Sequence, residues 1–237
     1  MEYLARSPSH GIEMTGISRQ VDDPQRIARA IPLISLLCGI AGSVDAIAYL
    51  LYGQIFVANM TGGTVLLAIS LLQRKMEDVA LRGGLVAAFL AGVIVAQLLA
   101  RIAGARLTTR QRISVLAVEL IVLFMLTWKS AGAHTSLLLL LLAGTLGTQN
   151  SAFRYIGGLH LNTTFITGDL ELLGEAITDP RDSLSKVSAF LLSWISYAGG
   201  ALLGALGARD LPHHAFLLPT IVVVVAIVAV ALTQERS

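Results

Sequence analysis

Hydrophobic residues fill eight stretches of the chain, separated by short polar segments. Six of these stretches are about 18 to 23 residues long, which suits a bilayer hydrocarbon core of about 30 Å. The other two, 56–72 and 163–177, are shorter and contain more polar residues. The pattern predicts an all-α polytopic membrane protein with about six full transmembrane helices and two short, broken helices. The long stretches are 31–52, 82–103, 113–130, 135–157, 186–207 and 214–233.

The two short stretches resemble each other in sequence. Thr61-Gly62 is matched by Thr167-Gly168 about 106 residues later, and the same spacing aligns Asp45 with Ser151. The match predicts an internal repeat in which each half holds four segments in the order long, short, long, long. The predicted units are a first membrane repeat, 31–130, and a second membrane repeat, 135–233.

The number of crossings decides how the two halves are related. If the short segments cross the membrane, the halves are parallel; if they are re-entrant, each half crosses three times and the halves are inverted. Of the 17 Lys and Arg residues, eight crossings place about 11 inside and six crossings about 12, so charge does not decide. The acids of 163–177 favour six crossings, because a carboxylate in mid-membrane costs roughly 2.5–3.5 kcal/mol.

Residues 1–30 are polar and lack the apolar core of a signal peptide. They are predicted to form a flexible cytoplasmic tail. Arg26 and Arg29 lie just before the first long stretch and favour a cytoplasmic N-terminus.

Composition narrows the class of protein. Hydrophobic residues make up 55% of the chain and charged residues 14%, against roughly a quarter charged in soluble domains. The net charge of +2 is too small to imply a nucleic-acid partner. Cys38 stands alone, so no disulfide within the chain and no cysteine metal cluster is expected. The sequence has no G-x-x-x-x-G-K-[ST] phosphate loop. The expected partners are the lipid bilayer and a small-molecule substrate, with no metal or cofactor.

Several polar residues lie within the apolar stretches. Asp45 is a carboxylate inside the first long stretch, where it must be paired, protonated or facing water. Asn150 and Arg154 are four residues apart and therefore share one helical face. Arg154 can pair with Asp45, receive an anionic substrate, or extend to the lipid head groups. We expect Asp45 to approach the face formed by Gln149 and Arg154.

The threonines of the short segments are predicted to start helices within the membrane. Thr61 and Thr167 are the expected N-caps, and Asp169 lies in the first turn of the second short helix. A helix that begins in mid-membrane directs free N–H groups at a cavity, as in transporters with broken helices. The predicted substrate- or ion-binding set is Asp45, Asn59, Thr61, Gln149, Asn150, Arg154, Thr163, Thr164, Thr167 and Asp169.

These features favour a secondary transporter or exporter of a small polar or anionic metabolite, with its site between the two halves and no catalytic residues. Two alternatives stay open. One is a non-catalytic scaffold or assembly factor. The other is an intramembrane aspartyl hydrolase in which Asp45 and Asp169 share a proton, although Ile166 stands where the Gly-x-Gly-Asp signature has its first glycine.

Four motifs together have a recognisable pattern: Gly42-x-x-Asp45-Ala46, Phe56-Val57-Ala58-Asn59-Met60-Thr61-Gly62, Gly147-x-Gln149-Asn150-x-x-x-Arg154 and Thr163-Thr164-x-x-Thr167-Gly168-Asp169-Leu170. On these motifs the chain resembles the YoaK-like family, bacterial multi-span membrane proteins of unknown function, over roughly residues 33–233. The resemblance implies about six spans and the inner (plasma) membrane of a bacterium, and it supplies no activity. One departure is Gly63, where the family commonly has Asn.

Overall fold

A computed structural model describes residues 23–104, 107–128, 135–164, 166–179 and 182–234. Within these ranges the chain forms eight α-helices, a two-stranded hairpin and one 3-10 turn, Pro212–His214. The hairpin joins β1 (Tyr155–Ile156) to β2 (Leu159–His160). The helices are α1 (Pro24–Leu51), α2 (Met60–Leu72), α3 (Met76–Ile102), α4 (Thr109–Trp128), α5 (Thr135–Ala152), α6 (Ile166–Thr178), α7 (Leu184–Asp210) and α8 (Leu217–Gln234).

Two helix ends differ from the prediction. Helix α1 begins at Pro24, inside the segment predicted to be a flexible tail, because Asp23 caps the helix by accepting a hydrogen bond from the Gln25 N–H at 3.0 Å. Residues 1–22 lie outside the described ranges. Helix α5 ends at Ala152 rather than at 157, because the chain turns there into the hairpin.

The helix lengths confirm the predicted class, a polytopic α-helical membrane protein. Five segments are long and apolar enough to cross a membrane: α1, α3, α4, α7 and Pro212–Leu232. Helix α5 has 18 residues and is less apolar because it ends in Gln149 and Asn150. Helices α2 and α6 have 13 residues each, or about 20 Å at 1.5 Å per residue. Neither short helix can cross a core of about 30 Å.

The long helices pack in close parallel pairs, α1 with α7 and α3 with α5. Small residues allow this approach: a Cβ on Gly42 would lie 2.1 Å from the Tyr197 carbonyl oxygen, and one on Gly147 would lie 2.2 Å from the Phe89 carbonyl oxygen. Glycines at helix interfaces permit such backbone contact in membranes.

The helix contacts of the first half are repeated by the corresponding helices of the second half. Helix α1 packs on α7 as α5 packs on α3, α2 packs on α3 as α6 packs on α7, and α4 packs on α8. Gly42 and Gly147 therefore occupy equivalent places in the two halves. That the halves are homologous repeats stays a prediction, and the equivalence of these contacts supports it.

One side chain indicates that helix α2 is re-entrant, because it joins the start of α3 to the end of α1. Arg82, near the start of α3, donates hydrogen bonds to the carbonyl oxygens of Gly53 at 3.1 Å and Leu66 at 3.0 Å, and also to Ser70. Gly53 lies two residues after the end of α1 at Leu51. Helix α3 therefore starts on the membrane side where α1 ends, and the chain between them enters the membrane and returns to that side.

A second contact shows that the halves have opposite orientations. A Cβ on Gly157, just after α5, would lie 2.9 Å from the Arg26 carbonyl oxygen at the start of α1. Helix α5 thus ends on the side where α1 begins, so α1 and α5 run in opposite directions. Eight crossings would place these two ends on opposite sides. This arrangement fits six crossings and two short helices, which the sequence favoured, with α5 as the sixth long helix beside the five apolar segments.

Candidate functional site between the two short helices

The turn that leads into α2 is held inside the membrane by Asp45. The carboxylate accepts hydrogen bonds from the backbone N–H groups of Val57 at 2.7 Å, Ala58 at 2.8 Å and Asn59 at 2.9 Å. Its Oδ2 atom also accepts one from the Tyr197 hydroxyl at 2.7 Å. Three of these four donors come from consecutive residues of the turn. Asp45 is therefore a structural anchor for this turn.

The start of α2 differs from the prediction. Asn59 is the N-cap, since its Oδ1 atom accepts a hydrogen bond from the Gly62 N–H at 3.1 Å. Thr61 lies inside the first turn and is exposed. In α6, Thr167 is likewise exposed and lies one residue after the helix start at Ile166, so it is not the cap that the sequence predicted.

In the second half, Asn150 and Asp169 hold the turn that leads into α6. Asn150 Oδ1 accepts a hydrogen bond from the Thr163 N–H at 2.9 Å. Asp169, in the first turn of α6, accepts hydrogen bonds from the Asn162 N–H at 3.2 Å and the Ser193 hydroxyl at 3.0 Å. Thr163 is fully buried. This turn is therefore fixed from both α5 and α7.

The two turns meet at a cavity of about 350 Å³ between the halves. Ala58, Met60 and Thr61 contribute from the start of α2, and Asn162 and Thr164 from the turn before α6. Helices α3 and α5 complete the wall with Phe89, Val93, Asn150, Ser151 and Arg154. The cavity lies where both short helices begin, as predicted for a site built from broken helices.

Arg154 is the charged residue among the described side chains that line this cavity. The side chain is exposed, and its Nε atom donates a hydrogen bond to His160 Nε2 at 2.7 Å. Burial and the positive charge of Arg154 lower the pKa of His160, so the neutral ring that accepts this bond is favoured. Neither Asp45 nor Asp169 is among the described residues that line the cavity, so the formal charge of this lining is the positive charge of Arg154.

The structure brings together only part of the predicted set. Thr61, Asn150, Arg154 and Thr164 line the cavity. Asp45 and Asn59 line a second, largely apolar cavity of about 450 Å³ with Tyr49, Phe56 and Tyr197. The expected approach of Asp45 to the Gln149–Arg154 face is wrong, because Asp45 is engaged by the turn before α2. Gln149, Thr163, Thr167 and Asp169 do not line the cavity.

Asp45 and Asp169 have separate hydrogen-bond partners. Asp45 is engaged by one turn and Tyr197, whereas Asp169 is engaged by Asn162 and Ser193. Within the described residues no hydrogen bond joins the two carboxylates. A proton shared between them, which an aspartyl hydrolase requires, has no support in this arrangement.

Sequence reasoning missed Glu119. This carboxylate lies in the middle of α4, is fully buried, and faces the side-chain nitrogen of Gln149 with both oxygens, at 2.7 and 3.1 Å. The signal was available, since Glu119 is the one acidic residue in the long stretch 113–130. Glu119 lies outside the two repeated short segments, so the repeat itself does not indicate it.

Together, the fold and the site define a polytopic α-helical membrane protein with two re-entrant helices that begin at a shared cavity. The chain belongs to the family described as "Protein of unknown function (DUF1275)", which it matches over residues 33–230. It is 33% identical over 203 residues to the UPF0700 transmembrane protein YoaK of Bacillus subtilis (strain 168), an alignment that covers 81% of this chain and 89% of that protein. These matches confirm the resemblance found in the sequence. No solved structure is significantly similar to the chain.

Proposed function

We propose that this protein is a secondary transporter that moves a small anionic metabolite across a bacterial plasma membrane. The observation that carries the proposal is the cavity at which two re-entrant helices from opposite sides begin, with Arg154 in its wall. A guanidinium offers up to five N–H donors in a planar fork, which suits carboxylate or phosphate groups. The Gly62 N–H at the start of α2 is bonded to Asn59, so the two helix starts contribute through the positive ends of their dipoles, which favour an anion.

The placement of the acids supports an anionic substrate. Acids near the start of α6 would be expected to repel an anion, but Asp169 faces Ser193 and the Asn162 N–H. The carboxylate of Asp45 likewise accepts its hydrogen bonds from the turn before α2. Neither carboxylate is among the described residues that line the cavity, so the positive charge of Arg154 is not cancelled there.

Inverted halves provide the mechanical basis for alternating access. Two halves of opposite orientation can exchange conformations, so that the cavity opens first to one side and then to the other.

We place the N-terminus in the cytoplasm, because basic residues on the side where α1 begins outnumber those on the opposite side. In the described ranges the first group is Arg26, Arg29, Arg101, Arg110, Arg112, Arg154 and Lys186, and the second is Arg74, Lys75, Arg82 and Arg209.

The experiment is a thermal-shift panel on the purified full-length protein at fixed ionic strength. The probes are inorganic phosphate, acetate and succinate, with choline and mannitol as cationic and neutral comparators. At least one anion should raise the melting temperature of the wild type. Arg154→Gln should weaken the binding of that anion by about tenfold or more, equivalent to about 1.4 kcal/mol of binding free energy. Arg154→Lys should retain part of the stabilisation by the anion, because it keeps the positive charge.

Arg110→Gln is the matched control, because Arg110 is an exposed arginine on the same side of the membrane that does not line the cavity. It should keep the wild-type response. Two results would contradict the proposal. One is stabilisation of the wild type by choline or mannitol and by no anion. The other is equal losses in Arg154→Gln and Arg110→Gln, which would indicate a nonspecific surface effect.

A further inference from the structure

Glu119 is a fully buried carboxylate whose one described partner is a neutral amide. Its two oxygens face the Gln149 side-chain nitrogen at 2.7 and 3.1 Å, and Gln149 is itself fully buried. No basic side chain forms an ion pair with Glu119 in the ranges that the structure describes. A carboxylate in such surroundings is expensive to keep ionised, and it can lower this cost by binding a proton.

The elements packed against α4 bring no compensating charge. Helix α4 packs against α5, against α8 and against the 3-10 turn Pro212–His214. Helix α5 has no ionisable residue, and neither does α8 through Leu232. In the 3-10 turn, His213 and His214 lie at the far end of α4, where the His214 ring contacts Trp128.

On α4 itself, the basic residues are Arg110 and Arg112, and the latter lies about two turns before Glu119. The Arg112 guanidinium lies over the Phe153 ring at 5.4 Å and donates to the Tyr155 carbonyl oxygen at 3.4 Å. These two contacts point toward the hairpin end of α5. Gln149 is thus the polar group that faces Glu119 at the centre of the helix junction.

The contact between α1 and α8, which is the counterpart of the contact between α5 and α4, has apolar residues at the equivalent positions. Gln149 follows Gly147 by two residues, as Val44 follows the equivalent Gly42. Val44 is fully buried, and α8, the counterpart of α4, has buried Val223 and Ala226 in its apolar wall. Because apolar side chains suffice in one half, packing does not require a carboxylate and an amide in the other.

We propose that Glu119 is a proton-binding site that takes up and releases one proton as the protein moves its substrate, an inference that rests on the proposed transport function for its coupling role. The carboxylate takes a proton from water to become a carboxylic acid, and no other bond is made or broken. The Gln149 amide serves both states: its nitrogen donates to the carboxylate, and after rotation its oxygen accepts the carboxylic O–H. Gln149 directly precedes Asn150, which lines the cavity.

Infrared difference spectroscopy on the full-length protein in lipid tests the proposal without a substrate. We expect a carboxylic C=O stretching band at the position typical of an apolar environment, which grows as the pH is lowered while the protein stays folded. Glu119→Gln should remove this band, because the amide keeps the shape and cannot titrate. Glu171→Gln is the matched control, since Glu171 is an exposed glutamate on α6, and it should keep the band.

An unchanged band in Glu119→Gln would overturn the proposal, as would a wild-type protein with no such band. Melting temperatures of the same samples distinguish proton binding from a purely structural role. A Glu119→Gln protein that fails to fold would show that the Glu119–Gln149 pair holds the helices together, and this result would also overturn the proposal. The test is independent of the anion panel. If the infrared band titrates with Glu119 but no anion raises the melting temperature, the proton-binding site stands and the proposed transport function is contradicted.

Discussion

Asp45 and Asn150 perform the same structural task in the two inverted halves. Each lies three residues after a glycine that touches the backbone of a neighbouring helix, Gly42 or Gly147. Each accepts backbone N–H hydrogen bonds from the turn that precedes a short helix, Asp45 from Val57 to Asn59 and Asn150 from Thr163. The first turn is thus fixed by a carboxylate with four donors, and the second by an amide that also lines the cavity.

Replacement of Asp45 should destabilise the protein in proportion to the acceptors that are lost. Asp45→Asn exchanges one acceptor oxygen for an NH2 donor, so we expect a loss of about 1–3 kcal/mol in the free energy of unfolding. Asp45→Leu should cost more, because it leaves all three backbone donors and the Tyr197 hydroxyl without their acceptor. Ala46→Ser, at the next and partly exposed position, is the control and should be nearly neutral, because the side chain stays small. Thermal unfolding in detergent measures all three variants. An Asp45→Leu protein as stable as the wild type would show that the turn does not depend on this carboxylate.

A methyl group at a close contact between helices α3 and α5 should force these helices apart. Gly147→Ala places a Cβ 2.2 Å from the Phe89 carbonyl oxygen, so α3 and α5 must move apart. We expect a destabilisation of about 1–3 kcal/mol, typical of overpacking. Gly174→Ala in α6 is the control, because nothing lies within 4 Å of the added Cβ, and it should be neutral or slightly stabilising. Equal melting temperatures for the two variants would contradict the close packing of α3 on α5.

The ring of His160 should titrate below its ordinary range. Burial, with the nearby charge of Arg154, lowers the pKa of His160, and His160 Nε2 accepts the Arg154 Nε–H bond in its neutral form. Since the folded pKa lies below the unfolded value of about 6.5, this site favours the native state less as pH falls below that value. An NMR titration of the ring should show the lowered pKa in the wild type and a rise in Arg154→Gln. A pKa that is the same in both proteins would contradict the Arg154–His160 contact.

Much of the fold could be predicted from the hydrophobic pattern. The long stretches became α1, α3, α4, α5, α7 and α8, and the two polar short stretches contain α2 and α6. The basic residues could not decide the crossing parity, because eight and six crossings give almost the same division of these residues between the two sides. The parity depends instead on two contacts between residues distant in sequence, Arg82 with Gly53 and Gly157 with Arg26.

The site was predicted less completely than the fold. The repeat was aligned on Thr61 and Thr167, about 106 residues apart, which placed Asp45 opposite Ser151. The glycine contacts give a spacing of about 105 residues at the first helix of each half, which makes Asn150 the equivalent of Asp45. One residue of register turns a side chain by about 100° around a helix. This difference explains why the predicted partner of Asp45 was wrong.

Side-specific cysteine labelling tests the inverted arrangement with two re-entrant helices most directly. On a background in which Cys38 is replaced, single cysteines are placed at Gln54 and Gln73, before and after α2, and at Gly158 and Ser183, before and after α6. A membrane-impermeant maleimide is applied from one side of sealed vesicles and then from the other. We expect Gln54 and Gln73 to be labelled from one face, and Gly158 and Ser183 from the opposite face. Labelling of Gln54 and Gln73 from opposite faces would show that α2 crosses the membrane and would contradict the inverted halves.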